Sequence, residues 1–262
     1  MEIFNAIGLQ FPKGETINDL AQNAEKLGEA SVSTRPDCVI YGHCWRIGAG
    51  LEVWTILYES GDGEVFYADC RPGFRAKFTQ NIEVWSLYED EEEGDAAIAG
   101  RIEDFSTRVF FQLQNLTEVS PKNFEREVLC VGLGGLALRA EVAVGDEEFL
   151  WQPLHKTAGN ADVEETYWRL CGKILAFDTV RNTYSEKGLY WIHLELKHFN
   201  LEILVNQKDL RDAGNLRVGK FIKADIWLQG HVISQSTYHS NYEGIDWSAP
   251  TADFWKSFKR QN

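Results

Sequence analysis

The chain is poor in the residues that most often announce a function. Its five cysteines (Cys38, Cys44, Cys70, Cys130, Cys171) are odd in number, scattered, and never form a Cys-x-x-Cys pair. That pattern points to reduced, mostly buried thiols in a reducing compartment and away from a disulfide framework. No run of about 18 uncharged apolar residues occurs, so no membrane span is expected. Met1-Glu2-Ile3-Phe4-Asn5 has no basic segment leading into an apolar core, so a secretory signal is not expected and a cytoplasmic location is. Six histidines (His43, His155, His193, His198, His231, His239) form neither His-x-x-x-His nor His-Glu-x-x-His, and His43 and Cys44 point to opposite faces of a strand. Gly-x-Ser-x-Gly, Walker and Rossmann patterns are missing as well. No metal or cofactor is expected, and binding is favoured over catalysis.

Cations are also in deficit. Lys and Arg number 26 against 40 Asp and Glu, a net charge of −14 that disfavours a general nucleic-acid or anionic-lipid surface. The acid is unevenly placed. Residues 1–165 hold 13 cations and 30 anions, whereas residues 166–235 hold 10 and 7.

What is abundant is apolar and aromatic: 13% of the residues are Phe, Trp or Tyr, nine of them Trp, which favours strands. One helix is expected at 15–28, where Thr16 caps, Asp19 completes an acidic capping box, and Ile17, Leu20, Ala21, Ala24 and Leu27 recur at helical spacing. A polar connector with Pro36 follows at 31–37. Strands are expected at 38–46, 51–58, 64–69 and 77–87, with a turn at Ser60-Gly61-Asp62-Gly63 and a break at Arg71-Pro72-Gly73. The short connections make this an antiparallel meander. Trp45, Trp54 and Trp85 are expected in its core. Residues 89–95 are acidic and read as a solvated loop, since they lack the alternating ligands of a calcium loop. Further strands are expected at 96–103, 108–114 and 129–144. Gly132, Gly134 and Gly135 suggest a β-turn or bulge, because strand-like alternation follows where a phosphate loop requires a helix. Residues 152–165 read as a linker.

Residues 167–235 form the clearest unit. A long strand at 167–180 carries Gly172 where close curvature needs a residue without Cβ. Strands at 189–198 and 201–206 and a closing strand from Gly219 through Gly230 follow. This segment resembles an OB-type barrel, a resemblance that implies a module binding single strands, sugars or proteins. The fold expected is thus mainly β with minor helix: an antiparallel meander domain at 1–155, a small OB-like barrel at 160–235, and an aromatic tail at 236–262 whose short helix docks on the body. Ala97–Ile102 faintly echoes Leu170–Ile174, which reads as a shared strand solution and not a repeat.

Two groups of candidate binding residues stand out. Asp69, Arg71 and Arg75 surround a tight turn, where an arginine could clamp a carboxylate or phosphate, or simply pair with Asp69. Trp191 and His193 alternate outward from Tyr190, Ile192, Leu194 and Leu196, with Arg181 and Lys187 on the preceding loop. That set suits base stacking, but the acidic first half would repel a phosphate chain and is the better cover for Trp191. The expected function is recognition of a protein partner. Single-stranded nucleic-acid binding by the barrel is the alternative, and an enzyme site near Asp69, Arg71 and Arg75 a second one. Oligomeric state is not readable.

Overall fold

A computed structural model describes residues 2–11, 15–90, 94–145, 147–154 and 166–234. Of the linker expected at 152–165, residues 152–153 belong to a strand, and 155–165, like the middle of the acidic run and the aromatic tail, lie outside the described residues. Among the described residues no helix is long and apolar enough to cross a membrane.

The chain enters through a short helix, α1 (Glu2–Asn5), and α2 (Ile17–Leu27). Thr16 and Asp19 cap α2 reciprocally: the Thr16 N–H donates to Asp19 at 2.8 Å, and the Asp19 N–H to Thr16 Oγ1 at 3.4 Å. The first sheet is an antiparallel meander of β1 (Glu29–Thr34), β2 (Cys38–Gly48), β3 (Leu51–Ser60) and β4 (Val65–Phe74). Strand β1 lies in the expected connector. Its alternating serines hid it, because as an edge strand it buries almost nothing but Ser33. Strand β4 also runs through the expected break at 71–73. Pro72 is tolerated because β4 is an edge strand, where its missing N–H removes no ladder bond. Leu20, Ala21 and Ala24 of α2 pack with Ile47, Leu51 and Val53, while Ile40, Cys44, Trp54 and Ile56 join the main core.

The remaining strands form one ten-stranded sheet: β5 (Thr79–Asp90), β6 (Asp95–Ile102), β7 (Arg108–Leu113), β8 (Val128–Val142), β9 (Leu150–Pro153), β10 (Tyr167–Arg181), β11 (Gly188–Glu195), β12 (Asn200–Asn206), β13 (Leu210–Arg211) and β14 (Phe221–Val232). Their pairings close into two rings. Strands β5, β6 and β7 form an antiparallel meander, β7 runs parallel to β14, and β8 pairs with both β14 and β5. Likewise β10, β11 and β12 form a meander, β12 runs parallel to β8, and β14 pairs with both β8 and β10. The unit expected at 160–235 therefore takes its fifth strand, β8, from ahead of the expected division at 155–160, and that division does not separate the sheet.

The registers make the rings equivalent. Both first strands shift register at mid-length, between Val84 and Ser86 in β5 and between Ile174 and Ala176 in β10. Ala99 opposite Phe110 then matches His193 opposite Glu202, and Gln112 beside Gln229 matches Leu204 beside Leu136. The pair Gly135–Leu228 maps onto itself, so a pseudo-two-fold passes through it. The fold does contain a repeat, but it equates β5 with β10. The echo between 97–102 and 170–174 joins β6 to β10, strands at different places in their rings.

Gly132, Gly134 and Gly135 form neither turn nor bulge; they lie in continuous β8. Two of them admit a crossing chain. A Cβ on Gly134 would stand 2.7 Å from the Phe74 ring, and one on Gly132 would stand 2.9 Å from the Ala76 carbonyl oxygen.

Candidate binding face

That crossing chain decides the fate of the second expected site. On β11, Ile192 and Leu194 point into the second barrel, and Trp191 and His193 point out, as their alternation requires. Both are nevertheless buried, at 5% and 2% exposure. Residues 72–80 cover the outer face of this barrel as a strap that is strand to Phe74 and bends at Lys77 and Phe78. Gln229 receives the Phe74 N–H at 3.0 Å and donates to the Pro72 carbonyl at 3.0 Å. Glu202 receives the N–H groups of Lys77 at 2.7 Å and Phe78 at 3.2 Å, and the Phe78 ring meets His193 edge-on. Burial pushes the Glu202 carboxyl up to about 7 even though these donors pull it down, and burial pushes His193 down to about 4. A cavity of about 340 Å³ remains beside Trp191, Glu202, Lys77 and Arg181. Arg181 is exposed and pairs with Glu186, and Lys187 is exposed nearby. The base-stacking face expected at Trp191 is thus filled by the protein's own chain.

The structure also separates Arg71 from Arg75. Arg75 is buried in a network, its Nε on Glu52 at 2.7 Å and its two terminal nitrogens on Glu118 at 2.9 and 3.0 Å. Glu52 also accepts from Trp54 Nε1 at 2.9 Å and lies 3.1 Å from His231 Nε2. Burial alone would raise Glu52; Arg75 and His231 outweigh it and hold the carboxyl far below the usual range. This guanidinium is fully engaged inside the protein.

Arg71 instead stands at the mouth of the first barrel's outer face. It donates to Asp95 at 2.7 Å and to Asp69 at 3.3 Å. Gln112 of β7 binds Asp95 as well and holds the Ala96 carbonyl at 2.9 Å. Ala68, Tyr167 and Trp227 help to enclose a cavity of about 400 Å³ here. Burial raises the Asp69 carboxyl, Arg71 offsets this only in part, and Asp95 adds to the rise. Two carboxylates share one guanidinium, which leaves this end net negative.

From Gln112 the face continues outward along β5, β6 and β7. Ala97 and Ala99 form a low floor; Tyr88 and Phe110 meet edge-on above it at 5.6 Å. Arg108 lies 5.7 Å over the Trp85 ring. Trp85 and Tyr88 are 50% and 56% exposed. The placement of Trp85 corrects the expectation of core. Ile82, Val84 and Leu87 all contribute to the core, which strict alternation forbids. Trp85 follows inward Val84 and so points outward, and the bulge there resets the parity so that Leu87 turns in and Tyr88 turns out. Arg108, Phe110, Gln112, Tyr88 and Asp95 were not singled out from the sequence. Their signal was the pairing of β5–β7 with distant β14, which no local pattern carries.

The fold and this face define a double β-barrel protein with one outer face filled by its own chain and, among the described residues, the equivalent face left open beyond the cavity. Among the described residues no three His, Cys, Asp or Glu side chains are grouped to hold a metal. A family model described as a domain of unknown function (DUF3881, E. rectale gene description) matches residues 160–230, most of β10 through β14 without β8. No curated protein and no solved structure matches the chain.

Proposed function

We propose that the protein is a non-enzymatic binding module of the cytoplasm, built from two OB-type barrels, that recognises a protein partner on the open face of the first barrel. The observation that carries this reading is the half-exposed pair Trp85 and Tyr88, with Arg108 stacked on the indole, on the face whose counterpart is covered. Exposed aromatic and arginine side chains together are the groups that dominate protein interfaces. The net charge of −14 and the carboxylates of Asp69 and Asp95 beside the face favour a protein over a phosphate chain.

The test is capture from a lysate of the source organism by the wild-type chain and by the double variant W85A/Y88A, followed by a titration with the purified candidate. A partner whose affinity falls at least tenfold on the variant, with unchanged unfolding, supports the proposal. Equal affinity for both chains refutes it.

A further inference from the structure

The second barrel displays what its outer face accepts: a polypeptide that runs as strand to Phe74 and bends at Lys77 and Phe78. Phe74 packs on Gly134 of β8, the Lys77 and Phe78 amides reach Glu202 of β12, and the Phe78 ring reaches His193 of β11. Under the pseudo-two-fold, Gly134 corresponds to Trp227, Glu202 to Phe110 and His193 to Ala99. The equivalent path on the first barrel thus begins in the cavity at Trp227 and ends on the alanine floor between Tyr88 and Trp85. Its two ends differ in chemistry. The cavity end holds Asp69 and Asp95 against the single cation Arg71. The other end is aromatic.

Resting on the partner-binding reading above, we propose that the open face takes a peptide segment of the partner, following the course that residues 74–78 take on the second barrel. A basic side chain enters the Asp69–Asp95 cavity. An apolar side chain four residues on, as Phe78 is from Phe74, settles on Ala99. The occupant is a peptide segment of the same course because the equivalent face holds one, and its first anchor is basic because the carboxylates outnumber the guanidinium there.

The experiment pans random twelve-residue peptides on the full chain, then titrates synthetic binders against the wild type, W85A/Y88A and D69N/D95N, with oligo(dT) in parallel. Binders are expected to carry Lys or Arg four residues before an apolar residue. Changing that basic residue of the peptide to Gln, which leaves the protein untouched, is expected to weaken binding at least tenfold, as is D69N/D95N. Binders lost on W85A/Y88A but indifferent to both neutralisations would overturn this inference and leave the partner reading standing. Binders indifferent to W85A/Y88A would overturn both. Oligo(dT) binding that W85A/Y88A abolishes, tighter than any peptide's, would overturn both in favour of nucleic acid.

Discussion

Replacing Arg75 by Met tests whether the buried network is held by charge balance. Arg75 is 1% exposed, Glu52 is fully buried and Glu118 is 15% exposed, so the substitution leaves two carboxylates facing a thioether. Stranding a buried charge costs about 3–5 kcal/mol. The lower end is expected here, because Trp54 and His231 remain on Glu52. With a urea slope of about 3 kcal/mol/M for a chain of this size, the unfolding midpoint should fall by roughly 1 M at pH 8. The pH dependence separates charge from lost packing. In the wild type the Glu52 carboxyl is depressed, so its contribution is present above its unfolded value of 4.5 and lost as the pH falls. Without Arg75, burial raises that carboxyl, and stability is instead lost as the pH rises. The gap between variant and wild type should therefore narrow from pH 8 to pH 5.5, still above the sequence pI of about 4.9. Adding Glu52→Gln to the variant should restore about 1 kcal/mol or more at pH 8. A penalty below about 1 kcal/mol, or one indifferent to both pH and Glu52→Gln, refutes the charge-balance argument.

Glu202 gives a slope of the opposite sign to wild-type Glu52. Its folded carboxyl is raised from 4.5 to about 7, so stability is lost as the pH rises through that window; relative to wild type, Glu202→Gln should gain up to about 3 kcal/mol between pH 5 and pH 8 in urea titrations. Gly134→Ala places a methyl 2.7 Å from the Phe74 ring and should cost about 1–3 kcal/mol, read calorimetrically as a fall of roughly 3–10 °C in melting temperature. W85A/Y88A removes exposed side chains and should change stability by less than about 1 kcal/mol; a larger loss in urea unfolding would mean that Trp85 and Tyr88 are part of the core.

Local pattern and long-range pairing explain which features the sequence disclosed. The α2 cap, the β2–β3–β4 meander and the alternation of β11 are short-range, and residues 16–27, 38–60 and 188–195 display them directly. The closure of each barrel by the other's long strand is not short-range. Strand β8 could not be assigned to the barrel of β10–β12 from its own residues, because it is equally apolar on the edge facing β5. The burial of Trp191 followed from the acidic half being the better cover. Its cover at close range is the strap 72–80, which begins within Arg71-Pro72-Gly73, a stretch that imitates a turn while running on as edge strand. Asp69 and Arg71 were recognisable as a charged pair, but Asp95 lay in a run whose composition suggested only a solvated loop.

The two barrels began from one strand plan, and the difference between their outer faces is written in individual side chains. Where the second barrel places Glu202 to receive the strap's amides, the first places Phe110; where the second has Gly134 to admit Phe74, the first has Trp227. A carboxylate and a glycine suit a permanent, close-fitting backbone, since the carboxylate satisfies N–H groups that would otherwise be buried without partners. The half-buried Phe110 ring offers contact area without fixing any one backbone, while Trp227, 5% exposed, closes the cavity end. The first face also keeps its alanine floor low between Trp85 and Tyr88 instead of filling it with the chain's own side chains. The second barrel covers Trp191 with its own chain, whereas Trp85 and Tyr88 stay half-exposed among the described residues. On the partner-binding proposal, the first face exchanges its occupant and the strap is the permanent form of the same contact.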